Sequence, residues 1–240
     1  MPNPLRAIFI NCTLKYSPEI SNTDALVDIV AAAMKVAEPN IEIDRVRMTD
    51  YNVRFGAMND MGEGDEWPQI LERIVAVDII VIATPIWMGV RSSLAQLVIE
   101  RLDGTTKVVP EGDFGQFPLY NKVAGVVVTG NEDGAHDCAA TTLFNLAHFG
   151  CTVPPNTDCY WVGDAGPGPS FIEAHGDKHP YTLRNAKLTA QNLVYAARLI
   201  KANPYPTNVK AVSMEMMARN MEIWPAQAKL REQMYGGDEK

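Results

Sequence analysis

Three short stretches of the chain concentrate groups able to do chemistry, and each directly follows an apolar run. The first, "NCTLKYSPEISNTDALV", has no glycine but carries Thr13, Lys15, Ser17, Ser21, Asn22 and Thr23. Between a strand end and a helix start, such groups join free backbone N–H donors and the positive end of a helix dipole. That setting favours an anion by about 0.3–1 kcal/mol. Hydroxyls and amides suit the three oxygens of a terminal phosphate monoester. An ordinary helix cap by Ser21 or Asn22 is the competing reading, and the segment alone leaves the two even.

The second stretch is "TPIWMG", Thr84–Gly89. It offers a rigid corner at Pro85, apolar Ile86, aromatic Trp87, the polarisable thioether of Met88, and Gly89, which permits close backbone approach. Backbone N–H groups of such a turn can bond the carbonyl edge of a flat ring. Ser92 and Ser93 then cap the next helix. Trp87 is open between a ring wall, a substrate wall and a core or subunit contact. The third stretch, "TGNEDGAHD", runs from Thr129 to Asp137. Gly130 and Gly134 allow tight geometry, while Asn131, Glu132, Asp133 and His136 supply polar groups. His136 is either a proton donor to a bound ligand or an exposed residue at a helix start.

These stretches need elements to position them, and the hydrophobic pattern supplies five β-α units. Strands are expected at Leu5–Asn11, Ile41–Met48, Asp78–Ala83, Lys122–Gly130 and Asp158–Gly163. Helices are expected at Asn22–Ala37, Trp67–Val77, Leu94–Leu102, Cys138–Phe149 and Leu183–Ala202. Strands apolar on both faces, separated by helices, imply a parallel sheet covered on each side. Right-handed crossovers leave a flavodoxin-like or a Rossmann order, and both gather ligands at the carboxyl ends of the strands. The Rossmann dinucleotide reading and a Walker A loop both fail on the glycine-free first stretch. A phosphorylation receiver fails too, because Asn11-Cys12 and Thr84 stand where it needs acidic residues.

Composition narrows the classes further. The chain has 240 residues, 47% hydrophobic and 21% charged, as in a globular protein. A formal net charge of −8 speaks against nucleic acid and anionic membranes as partners. The N-terminal stretch lacks a signal peptide's long apolar core, and no run approaches a bilayer span, so a cytoplasmic location is expected. Cys12, Cys138, Cys151 and Cys159 match no metal or iron–sulfur spacing, and small buried hydrophobes are the expected role. Residues 163–180, rich in glycine and proline, read as a long functional or interface loop. A domain of residues 1–203 and a helical extension of 204–240 are expected. The methionine-rich part of that extension, with Met214, Met216, Met217 and Met221, reads as a packed or subunit-facing helix.

Taken in sheet order, the strand ends carry an anion cradle, an aromatic turn and a polar glycine turn, which is the chemical outline of FMN. Over roughly Leu5–Lys201 the chain resembles the flavodoxin-like NAD(P)H-dependent FMN reductases. The resemblance rests on "CTLKYSPEISNT", "ATPIWMGVRSSLAQLVIERLD" and "VVVTGNEDGAH". It implies an α/β fold with a doubly wound five-stranded parallel sheet, order 2-1-3-4-5, and helices on both faces. It also implies FMN with its phosphate near Thr13, Lys15, Ser21, Asn22 and Thr23. The ring would lie against Pro85, Ile86, Trp87, Met88 and Gly89 after Thr84, its far edge near Thr129, Gly130, Asn131, Glu132, Asp133 and His136.

The implied activity is hydride transfer from NAD(P)H to bound FMN, with electrons passing on to a quinone, free flavin or similar small acceptor. An FMN-binding electron-transfer module without NAD(P)H oxidation is the alternative. A homodimer or homotetramer is implied as well. Relatives with an iron–sulfur cluster carry cysteines where this chain has the cysteine-free segment Asp50–Trp67, so no cluster is expected.

Overall fold

The structure, a computed structural model, describes residues 4–107, 114–223, 225 and 229. It separates into two compact units, residues 1–108 with 117–205, and residues 109–116 with 206–240. The first unit is an α/β sandwich. Its strands are β1 (Arg6–Asn11), β2 (Glu42–Arg47), β3 (Ile79–Trp87), β4 (Val90–Arg91), β5 (Val123–Gly130) and β6 (Asp158–Val162). Its helices are α1 (Asn22–Ala37), α2 (Trp67–Val75), α3 (Ser93–Asp103), α4 (Ala135–His148) and α5 (Pro180–Ala202). The second unit holds α6 (Val209–Ile223), on which Met214, Met216 and Met217 are exposed. The side chain of Met221 lies outside the described residues.

Five strands pair in parallel in the order β2-β1-β3-β5-β6, the flavodoxin-like order expected, with β4 added antiparallel to β3. The pleat sorts the apolar residues. Ala7, Phe9, Ile79 and Val81 face one core with Leu26, Val30 and Met34 of α1 and Ala190 and Leu193 of α5. Ile8, Ile10, Ile80 and Ile82 face the other, with Trp67, Ile70 and Ile74 of α2 and Val98 and Leu102 of α3. Adjacent residues thus serve opposite cores, which is why these strands read as unbroken apolar runs. Strand order reverses between β1 and β3, so the crevice beyond their carboxyl ends is where a ligand site is expected.

The third strand does not stop at Ala83. It continues through Thr84 and Pro85, paired with Val128 and Thr129 of β5, and turns back as a hairpin in which Trp87 faces Val90. Met88 (φ 51°) and Gly89 (φ 81°) form its two-residue tip, the left-handed pair that matches strand twist. Helix α4 starts a turn early, at Ala135. Helix α5 starts at Pro180, where a proline at the first helical position loses no hydrogen bond. No helix among the described residues is long and apolar enough to cross a membrane.

Candidate functional site

Beyond the β1 carboxyl end, the first loop is built on its own side chains. Asn11 Oδ1 accepts from Thr13 N at 3.0 Å, and Asn11 Nδ2 donates to Ser21 Oγ at 3.3 Å. Ser21 caps α1, accepting from Asp24 N at 3.1 Å, so the cap reading holds for this buried residue. Asp50 holds the outside of the loop by accepting from Ser17 N and Oγ, and Thr49 Oγ1 donates to Lys15 O at 2.9 Å. The Lys15 ammonium lies 3.1 Å from Glu19 and donates to Ile20 O. Among the described residues, the backbone N–H groups of Leu14, Asn22 and Thr23 have no acceptor. They face the situation the sequence anticipated, a helix start with open donors.

Two polar stitches bring the other loops to this one. Ser92 Oγ donates to Cys12 O at 2.8 Å while capping α3, and buried Thr84 Oγ1 accepts from Ser92 N. The Thr23 and Thr129 hydroxyls meet at 2.8 Å, joining α1 to the end of β5. The third loop then grips the hairpin tip. Glu132 accepts from Met88 N at 3.1 Å and from Gly89 N at 3.0 Å. These two donors therefore bond a carboxylate of the neighbouring loop, where open donors for a ring edge were anticipated. A carboxylate with two acceptor oxygens fits the paired N–H groups of such a tip.

The three loops enclose a pocket of about 620 Å³, within the range of small-molecule and cofactor sites. Thr13, Lys15, Asn22 and Thr23 line one part of it, and Pro85, Ile86 and Trp87 another. Thr129, Gly130, Asn131 and Glu132 complete the set brought together from the sequence reading. Ser21, Thr84, Met88, Gly89, Asp133 and His136 lie outside the lining. Ser21 and Thr84 are buried beneath it as supports, and Met88 and Asp133 are exposed. His136 is also exposed and pairs with the Tyr160 hydroxyl at 3.1 Å. Trp87 is 52% exposed, so it is a wall and not part of the core.

A fourth contributor is the loop that the sequence marked as functional or interface without naming its residues, together with the end of β6 before it. Trp161 at the end of β6 and Gly166, Gly168, Ser170 and Phe171 of the following loop also line the pocket. Phe171 meets Trp161 edge-on, ring centroids 5.5 Å apart. The available signal was the aromatic of "DCYWVG" at yet another strand carboxyl end.

None of the cysteines is poised as a nucleophile. Burial pushes the Cys151 and Cys159 thiols up to about 12 and raises Cys12 further. No metal-binding group of three or more His, Cys, Asp or Glu occurs among the described residues.

The pattern shared by NADPH-dependent FMN reductases matches residues 6–164. The chain belongs to the NADPH-dependent FMN reductase family. This reductase-family chain is 40% identical, over 229 residues, to the 8-demethyl-8-aminoriboflavin-5'-phosphate synthase of Streptomyces davaonensis. The match covers 92% of this chain and 88% of that protein. The crystal structure of RosB with the bound intermediate 8-demethyl-8-formylriboflavin-5'-phosphate aligns at TM-score 0.82 and 38% identity, over 90% of this chain and 87% of that one. The divalent metal cation transporter MntH of Mycobacterium bovis is 39% identical over 217 residues. That match takes in 87% of this chain, which spans only 31% of the transporter's length.

Membership in the family makes this an FMN-dependent oxidoreductase fold, and the pocket suits that group. Its lining includes the Thr13 hydroxyl and the Lys15 ammonium, beside open N–H donors for an anion. Pro85, Ile86, Trp87, Trp161 and Phe171 add apolar lining suited to a flat ring.

Proposed function

We propose that the chain moves reducing equivalents from NAD(P)H to a quinone, free flavin or similar small acceptor, with FMN held in this pocket. The observation that carries the reading is the convergence of an open-donor helix start and an aromatic slot in one cavity at the sheet's switch point. When bound, FMN supplies the two-electron redox chemistry, and the protein's part is to bind, orient and shield it. Thr13, Lys15, Asn22 and Thr23 hold the phosphate. Pro85, Ile86 and Trp87 flank the ring, and Thr129, Gly130 and the backbone of Asn131 and Glu132 meet its polar edge. Ser21, Thr84, Met88, Gly89 and Asp133 act by shaping these loops. His136, the catalytic candidate of the sequence, lies outside the lining and pairs with the Tyr160 hydroxyl.

We also assign the FMN-binding domain to residues 1–203 and a helical extension to 204–240, in a cytoplasmic homodimer or homotetramer. The arginines closest to a role in selecting a nicotinamide 2'-phosphate are otherwise engaged. Arg47 pairs with Asp24, Arg54 donates to Met61 O, and Arg91 donates to Gln96 and Asn145.

Rapid mixing of the FMN-loaded protein with NADH and with NADPH tests the reading. Bleaching of the flavin absorbance within seconds is expected. No bleaching with either would leave an electron-transfer module without NAD(P)H oxidation.

Trp87→Ala is expected to weaken FMN binding about tenfold while costing under about 1 kcal/mol of folding stability, because the side chain is half exposed. Titration and urea unfolding check it, and equal losses in both would place Trp87 in the fold instead. Lys15→Ala is expected to weaken FMN about tenfold, by loss of a charge-assisted contact, and to leave riboflavin affinity nearly unchanged. Fluorescence titration with both ligands checks it.

One relative of nearly full-length coverage is named a synthase of an aminated riboflavin 5'-phosphate, which favours a second reading. In it the flavin phosphate in this pocket is the compound being altered. Mass analysis of the flavin after prolonged turnover separates the two, since a resident cofactor returns unchanged.

A further inference from the structure

The loop after β6 starts at residue 163 and runs past the end of the family match at residue 164. It crosses the pocket as a strap, tied at both ends. Gly163 N donates to Gly130 O at 2.9 Å and Gly166 N to Asn131 O at 3.0 Å. The Asn131 amide donates to Gly168 O at 2.8 Å and to Pro169 O at 3.0 Å. At the far end Ile172 N donates to Asn22 Oδ1 at 2.9 Å, beside the first loop. The strap therefore links the loop assigned to the phosphate with the loop assigned to the ring edge.

Gly168 is the telling residue. It lines the pocket, yet an added Cβ there would meet nothing closer than Asp164 O at 3.5 Å. Its φ is not in the left-handed range either. Neither packing nor backbone conformation within the protein calls for glycine at this position. Two residues on, Ser170 lines the same pocket, and its hydroxyl has no partner among the described residues.

We propose that the strap 163–172 is a binding wall for the hydroxylated chain that joins the ring of FMN to its phosphate. Gly168 lets that chain pass against bare backbone, Ser170 bonds one of its hydroxyls, and Asn131 is the positioning residue that fixes the strap. The inference rests on the FMN reading and adds a part of the ligand that the three strand-end loops leave unread.

The test titrates FMN and riboflavin into the full-length parent, Gly168→Ala, Asn131→Ala and Lys15→Ala, with thermal midpoints alongside. Gly168→Ala is expected to melt within about 2 °C of the parent. It should bind both flavins about five- to tenfold more weakly, because the chain is common to them. Asn131→Ala should weaken both by a similar factor and expose the strap to protease even with FMN present. Lys15→Ala should instead cut FMN affinity selectively, changing the ratio that the strap variants preserve. Parental affinity in Gly168→Ala and Asn131→Ala, or a loss confined to FMN, overturns the wall. A parent that binds neither flavin overturns the FMN reading itself, and the wall with it.

Discussion

Replacing Arg101 with alanine is expected to cost about 3–5 kcal/mol of folding stability, the range for stripping one partner from a buried ion pair. Both Arg101 and Asp65 have fully buried side chains, and they pair at 2.7 Å. The guanidinium also donates to Met58 O at 3.0 Å and Arg54 O at 2.7 Å, and it sits 5.5 Å from the Trp67 ring centroid. Asp65 in turn accepts from the backbone N–H groups of Met61, Arg54 and Trp67. One ion pair thus holds the irregular segment before α2 onto α3, and its loss leaves a buried carboxylate with no counter-charge. Through Thr49 and Asp50, at the start of that segment, the disturbance reaches the loop that carries Lys15.

The same pair sets an acid limit. Burial by itself would raise the Asp65 pKa, but Arg101 and the three N–H groups outweigh it and hold the carboxyl well below its ordinary value. A carboxyl depressed in the folded state contributes its full stability above the unfolded pKa of about 4 and loses it as pH falls toward the folded value. Urea unfolding should therefore show the parent weakening below about pH 4. Arg101→Ala should lack most of that contribution already at pH 7. A loss under about 1 kcal/mol at pH 7, with an unchanged denaturant slope, would contradict this account.

Gly134→Ala is expected to cost about 1–3 kcal/mol and to reduce FMN affinity more than any exposed change at the pocket mouth. The residue has φ +126°, and an added Cβ would stand 2.2 Å from Gly89 O and 2.5 Å from Gly89 C. Its obstacle is backbone, which cannot swing aside as a side chain would. Either the hairpin tip lifts, breaking the two bonds to Glu132, or the third loop moves away from it. Each result shifts Trp87 and Ile86 relative to Thr129 and Gly130, and Gly130 is itself packed with room for no Cβ beside Ile86. Ligand titration with calorimetric melting checks the prediction. Unaltered FMN affinity would mean that the clamp does not shape the site.

Most of the fold was legible because β1, β3 and β5 are buried on both faces and so announce themselves as apolar runs. The helix from Asn22 to Ala37 was legible to the residue, since Ser21 is a strong cap and Pro39 follows. The β4 hairpin was hidden because its geometry comes from positive φ at Met88, a residue type that does not advertise it. The strap was hidden for a different reason. Its order comes from hydrogen bonds to Asn22 and Asn131, which lie 150 and 37 residues away along the chain from Ile172 and Gly168. Those asparagines line the pocket, and their side-chain amides also hold protein backbone. Likewise the Glu132 carboxylate reads as a ring-edge group in sequence, and only the folded loops reveal its grip on the hairpin tip.

The most direct test of the central claim is to identify what the purified protein carries and takes up. The account predicts a yellow protein that releases FMN, and not FAD, on denaturation, or a colourless one that quenches added FMN fluorescence with one-to-one stoichiometry. A folded protein that neither carries nor binds FMN would contradict it.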